Sequence, residues 1–140
     1  MTRHVVYFTR TGNSKRVAEK LAKRLTTEAI AITDNKNWQG FFGYIKAGFY
    51  ASSNKTVKIT VAKPLEKRDQ IIVVSPLWAG DLSPAVREFF KLYPKETTHL
   101  VVTSGGSKIK QRDDYKSVTD ITKKSMNEDE QIDKLIEMLS

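Results

Sequence analysis

Tyr7-Phe8-Thr9-Arg10-Thr11-Gly12-Asn13-Ser14 decides the fold of this 140-residue chain. An apolar run of β-branched and aromatic residues, His4 to Phe8, stops abruptly in hydroxyl, glycine and amide side chains. A helical period follows at once, with Val17, Leu21 and Leu25 four apart and Ala18 and Ala22 beside them. Strand, polar loop and helix N-terminus together receive anions. The first helical turn carries N–H groups without carbonyl partners and a partial positive charge. Thr9, Thr11 and Ser14 add hydroxyls, Asn13 adds an amide, and Gly12 lets the backbone close tightly. A capping turn would not require this many polar side chains. The loop points to phosphate without naming its owner.

Working outward, extended runs are predicted at His4–Phe8, Glu28–Thr33, Gln70–Ser75, His99–Thr103 and Lys116–Thr122. Ile71-Ile72-Val73-Val74 is apolar on both faces, which suits a central parallel strand covered by helices on each side. Helices are expected at Asn13–Thr26, Gly40–Ala51, Pro84–Leu92 and Glu128–Leu139. Ser83 caps the third, with Pro84 at its first position, and Asn127 caps the last. Alternating strands and helices give a doubly wound α/β domain with a parallel sheet. Val57, Ile59 and Val61 alternate like a short edge strand within the connection Lys55–Arg68. Ser104 to Tyr115 is polar and too short for a full crossover helix, so the fourth helix is expected to shrink to a turn. Sheet surface left bare there leads us to expect a homodimer.

Composition narrows the chemistry. There are no cysteines, which excludes disulfides and thiolate chemistry. No leader-like segment opens the sequence and no apolar run reaches the roughly 20 residues of a membrane span, so a cytoplasmic protein without membrane contact is expected. The net charge of +8 invites a nucleic-acid reading. Much of it sits at Lys15, Arg16, Lys20, Lys23 and Arg24, read as a solvated helix face. The aromatic cluster between residues 38 and 50 holds only one basic residue, Lys46, so base stacking is not indicated. His4 and His99 begin strands, and Asp113-Asp114 reads as a solvated turn; neither a catalytic residue nor a metal-ligand set is assigned.

Ligands of open parallel sheets sit at the carboxyl ends of the strands, where strand order reverses. Three loops leave such ends: Thr9–Ser14, Ser75-Pro76-Leu77-Trp78-Ala79-Gly80-Asp81, and Ser104-Gly105-Gly106-Ser107. An anion nest, a tryptophan on a Pro/Gly-bounded loop and a glycine pair imply a phosphorylated ligand with a flat ring. Thr9-x-Thr11-Gly12-Asn13-Ser14, with Val17-Ala18 and Leu21 behind it, resembles the flavodoxin signature. Pro76-Leu77-Trp78-x-Gly80, followed by Pro84 and Val86, looks like the second flavin loop of that family. Gly40-Phe41-Phe42-Gly43-Tyr44-Ile45-Lys46-Ala47-Gly48-Phe49 resembles one branch of its short members.

The resemblance covers about residues 4 to 107. It implies a flavodoxin-like sheet in strand order 2-1-3-4-5 with FMN bound non-covalently. By position, Thr9, Arg10, Thr11, Gly12, Asn13 and Ser14 would hold the FMN phosphate. Within Pro76-Leu77-Trp78-Ala79-Gly80, Trp78 would stack on the isoalloxazine and the Ala79-Gly80 peptide would face N5. Ser104, Gly105 and Gly106 would approach the pyrimidine edge. The function implied first is electron transport between a reductase and an acceptor protein. The alternatives are an FMN-dependent NAD(P)H:quinone reductase, an oxidoreductase in its own right, and an interaction module without cofactor. Two departures matter: family electron carriers are acidic whereas this chain is basic, and its third loop lacks an aromatic to cover the outer flavin face.

Overall fold

Ile71-Ile72-Val73-Val74 builds the middle of the sheet, as its two-sided apolar character requires, with every one of these residues buried. The computed structural model describes residues 2–34, 57–66 and 68–140. The helix expected at Gly40–Ala51 and the aromatic segment 38–50 lie outside the described residues. Strands β1 (Arg3–Tyr7), β2 (Ala29–Asp34), β4 (Gln70–Trp78), β6 (Thr98–Ser104) and β7 (Ser117–Thr122) run parallel in the order β2-β1-β4-β6-β7. This is the expected 2-1-3-4-5 sheet. The short strand β3 (Ile59–Val61) adds an antiparallel edge beyond β2, where the alternation of Val57, Ile59 and Val61 predicts one. Strand β5 (Asp81–Leu82) folds back on the end of β4 as a hairpin.

Helices α1 (Asn13–Arg24) and α3 (Glu128–Leu139) cover one face of the sheet, and α2 (Pro84–Leu92) covers the other. On the first face Val17, Leu21, Ile132 and Leu135 pack on Val5, Ile72, Val74 and Val101. On the second, Val86 and Phe89 meet Val6, Val73 and Leu100. Helix α1 ends two residues before the expected Thr26. Thr26 turns to φ 55, and the Thr27 N–H reaches back to the Ala22 carbonyl at 2.9 Å, a Schellman-type stop made without glycine.

The fourth helix is reduced to one 3₁₀ turn, Arg112–Asp114, as its length requires. The sheet is nevertheless covered. Ile109 (6% exposed) and Tyr115 (9% exposed) reach into the α2-side core, and Tyr115 meets Phe90 edge-on at 5.6 Å. Arg112 grips Asp120 of β7 through two hydrogen bonds of 3.0 and 2.5 Å, which holds the short connection against the edge strand. The bare apolar surface on which we expected a homodimer is therefore not formed there.

The basic face of α1 also differs from a merely solvated one. Arg16, Lys20 and Arg24 form ion pairs of 2.6 to 3.0 Å with Glu128, Asp129 and Asp133 of α3. Their four-residue spacing places the cations on one stripe, facing the acids across the groove between the helices. Asn127 precedes α3 but gives its side chain to β7. Its Oδ1 accepts from the Thr122 N–H at 3.0 Å and its Nδ2 donates to the Asp120 carbonyl at 3.2 Å. One amide thus satisfies two outward groups of an edge strand.

Burial pushes the Tyr115 hydroxyl up to about 12, with Asp114 and Asp81 adding to the shift. Its raised value means the folded state keeps a proton that the unfolded state releases near 10.0. Stability is expected to fall as pH rises from about 10 to about 12. Tyr115→Phe should flatten that fall in urea titrations at stepped alkaline pH; an unchanged slope would show that Tyr115 does not cause it.

Candidate functional site

The parallel register sets the carboxyl ends of β1, β4 and β6 side by side, with Tyr7 opposite Val74 and Pro76 opposite Thr103. The three predicted loops leave that one edge of the sheet. Two contacts tie them together. Ser14 Oγ and Thr103 Oγ1 meet at 3.0 Å, joining α1 to β6, and Phe8 meets Trp78 edge-on at 5.6 Å, joining β1 to the β4–β5 hairpin.

The first loop has the geometry of an anion cradle. Gly12 takes φ 98 at the N-cap, and its N–H donates to Thr9 Oγ1 at 2.9 Å. Accepting that bond leaves the Thr9 hydroxyl its own hydrogen to donate. Arg16 is the first residue whose N–H bonds back, to the Gly12 carbonyl at 3.0 Å. The N–H groups of Asn13, Ser14 and Lys15 therefore have no carbonyl within the helix, as at every helix start. No acidic residue stands in this first turn to offset its positive end. Thr11 is exposed, while Thr9, Arg10 and Asn13 are partly so. Ser14 is left its backbone to offer: the residue is 1% exposed and its hydroxyl is committed to Thr103.

The second predicted loop proves to be the end of a strand. Strand β4 continues through Pro76, Leu77 and Trp78, turns on Ala79-Gly80, and returns as β5 with Trp78 opposite Asp81. Both turn residues have positive φ, 53 for Ala79 and 76 for Gly80, as a two-residue hairpin matched to strand twist demands. Alanine there costs roughly 1 kcal/mol that a glycine would not. The turn itself is exposed at Ala79 and Gly80. Trp78 is not: it is 8% exposed and belongs to the α2-side core with Phe8 and Leu82. Ser83, at the N-cap of α2, makes no cap bond; its hydroxyl lies 3.4 Å from that of Ser75 beneath the hairpin.

The third loop is fixed from the β7 side. Lys123 N–H bonds the Ser104 carbonyl at 2.9 Å and Lys124 N–H bonds the Gly105 carbonyl at 3.0 Å. A trans peptide points its N–H opposite to its carbonyl. The N–H groups of Gly105 and Gly106 therefore face away from β7, towards β4 and the rest of the site. Ser104 Oγ closes the loop on the Ser107 carbonyl at 3.0 Å. Thr122, paired in register with Ser104, buries its Oγ1 without a hydrogen-bond partner among the described residues.

Sequence reasoning missed the residues beside the cradle. A cleft of about 190 Å³ opens between the starts of α1 and α3, lined by Asn13, Arg16, Thr103, Ser104, Lys123 and Glu128 among others. Arg16 reaches Asn13 Oδ1 at 2.9 Å and Glu128 at 2.6 Å. The Arg16 guanidinium, with Lys20 beyond it, holds the Glu128 carboxyl below the usual glutamate range against the opposing effect of burial. Position three after Asn13 on a helix makes Arg16 legible in retrospect, but nothing local marks Glu128. His4, 2.8 Å from Asp69, and His99, 2.7 Å from Ser117, belong to the opposite end of the sheet. Among the described residues no cluster of His, Asp or Glu is arranged to hold a metal ion, and no helix is long and apolar enough to cross a membrane.

Fold and site together define a flavodoxin-like α/β architecture, with an anion cradle at the switch point of its sheet. No family model and no curated protein matches the chain. Solved structures do. A flavoprotein from Lactobacillus acidophilus, crystallised in complex with FMN, is 14% identical with a TM-score of 0.64, covering 93% of this chain and 97% of that one. A protein from Bacteroides uniformis assigned as a flavoprotein is 17% identical with a TM-score of 0.63, covering 97% of both chains. Another from Bacteroides eggerthii, similarly assigned, is 20% identical with a TM-score of 0.56, covering 76% of this chain and 72% of that one. At these identities the likeness speaks for the fold.

The buried Ser14–Thr103 pair lends itself to a cycle. Ser14→Ala leaves the Thr103 hydroxyl buried without its partner, at a cost of about 1–3 kcal/mol. Ser14→Ala with Thr103→Val removes both groups and should regain most of that loss in chemical denaturation. Additive losses would show that the two hydroxyls do not depend on each other.

Proposed function

We propose that this protein binds FMN non-covalently and carries electrons in the manner of a flavodoxin. The observation that carries the reading is the first turn of α1. Its unpaired N–H groups, the Gly12 turn and the Thr9 hydroxyl stand beside two further loops at the same sheet edge. The donor set suits a phosphate: it is rich in N–H and O–H groups and free of acidic side chains within the turn. Thr9, Thr11, Gly12, Asn13 and the Ser14 N–H would hold the phosphate. The Ala79-Gly80 turn and the N–H groups of Gly105 and Gly106 would border the ring. FMN supplies the redox chemistry when bound; the chain supplies affinity, orientation and field.

The L. acidophilus protein, which shares this fold and was crystallised with FMN, supports the reading. So does the resemblance of the Thr9–Ser14 loop to the flavodoxin signature. Trp78 enters it differently from the sequence expectation. Packed on Phe8 and 8% exposed, it supports the hairpin from below in this conformation, and the turn residues stand at the rim. We place the protein among the short members of the family, in the cytoplasm, with a reductase and an acceptor protein as partners.

One observation favours a second reading. Gly105 and Gly106 are exposed and present no side chain over the ring position, so a nicotinamide or quinone could approach. Steady state consumption of NAD(P)H by the flavin-loaded protein, without a separate reductase, would select that reading.

The phosphate assignment is tested by fluorescence titration with FMN and riboflavin. Two hydrogen bonds to a charged phosphate, about 1.5 kcal/mol each, give FMN a roughly hundredfold advantage. Equal affinities would falsify the role of the Thr9–Ser14 loop, and failure to take up either flavin would leave the cofactor-free module as the better account.

A further inference from the structure

We propose that Glu128 is a positioning residue for the anion loop: through Arg16 it fixes the Asn13 amide with its NH₂ group presented as donor. The inference rests on the FMN reading for its natural ligand. Its chemistry begins with Arg16, whose guanidinium carries donors and no acceptor. The Asn13 atom lying 2.9 Å from Arg16 must then be the amide oxygen, and the NH₂ group must turn the other way. Unheld, an asparagine amide rotates and can offer its oxygen to the loop, where it would repel an anion.

Arg16 is held in turn. Its Nε and a terminal nitrogen reach the two oxygens of Glu128 at 3.3 and 2.6 Å, a forked grip that fixes the guanidinium plane. Lys20 takes the same carboxylate at 2.6 Å and Asp129 at 3.0 Å. Isolated surface ion pairs contribute little, but here four charged groups share one arrangement around a carboxylate only 21% exposed. The chain of contacts runs from the start of α3, across Arg16, to Asn13, the first residue of the signature's amide–hydroxyl pair.

The sign of one substitution separates positioning from simple charge. Glu128 is an anion beside a site for an anion, so Coulomb's law alone predicts that Glu128→Ala tightens FMN. Positioning predicts that it weakens FMN by roughly threefold to tenfold, a fraction of one charged hydrogen bond. Riboflavin, which lacks the phosphate, should change by less than about twofold on the same basis. In an Asn13→Ala background the loss should vanish, because the group being positioned is gone. Glu128→Gln, which keeps one acceptor for Arg16, should fall between. Thermal unfolding of each variant confirms that it is folded at the titration temperature. Tighter FMN binding by Glu128→Ala, or an equal loss in the Asn13→Ala background, overturns the proposal. Inorganic phosphate provides an arm independent of flavin. The NMR signals of the Asn13 side-chain NH₂ should move with phosphate in the unmodified protein and much less in Glu128→Ala. Phosphate shifts without flavin uptake would remove the FMN reading and keep the relay; an Asn13 amide indifferent to both ligands removes the relay.

Discussion

A single strand buried on both faces constrains the rest of this molecule. Residues Ile71 to Ser75 of β4 are all buried, so helices must lie above and below, and parallel neighbours must lie on either side. Those neighbours are β1 and β6. Parallel pairing then forces their following loops to one edge, where the sheet's winding reverses. The site is a consequence of that burial: Thr9–Ser14, the Ala79-Gly80 turn and Gly105-Gly106 meet because three strands point the same way. The hydroxyl contact between Ser14 and Thr103 and the ring contact between Phe8 and Trp78 then set the loops at fixed height.

Most of the architecture was legible because it is written in local pattern. The apolar run at residues 71–74, the four-residue period of α1 and the brevity of 104–115 each follow from neighbours in the chain. The strand order, the single 3₁₀ turn and the β3 edge agree with those patterns. What escaped the sequence was tertiary. Pro76 disguised the end of a long strand as a loop, since a proline within a strand argues against one. Ala79 hid a hairpin whose first turn residue is commonly asparagine, aspartate or glycine. Asn127 looked like a helix cap by its place, yet the edge of β7 offered it two partners at once. The cradle was visible in Thr9–Ser14, whereas Arg16 and Glu128 are joined only by folding, 112 residues apart.

Charge gains a different meaning once the helices are placed. The formal excess of +8 suggests a basic surface. Three of the cations on α1 are instead spent on the acids of α3, so that stripe binds the protein to itself. Lys15 and Lys23 remain exposed beside it. The basic character that sets this chain apart from acidic electron carriers is thus partly internal. Its field at the candidate site is set by the residues nearest the three loops, not by the total.

The distance between Arg16 and Glu128 along the chain also imposes an order in time. A ribosome makes residues at roughly 5–20 per second, so Arg16 waits on the order of 10 s before its acid partner is synthesised. Throughout that interval strands β2 to β7 are being made, and the groove between α1 and α3 does not yet exist. The nascent chain therefore carries a signature loop whose lateral support does not yet exist. The loop's most recognisable residues are thus made well before the acid that steadies the helix behind them.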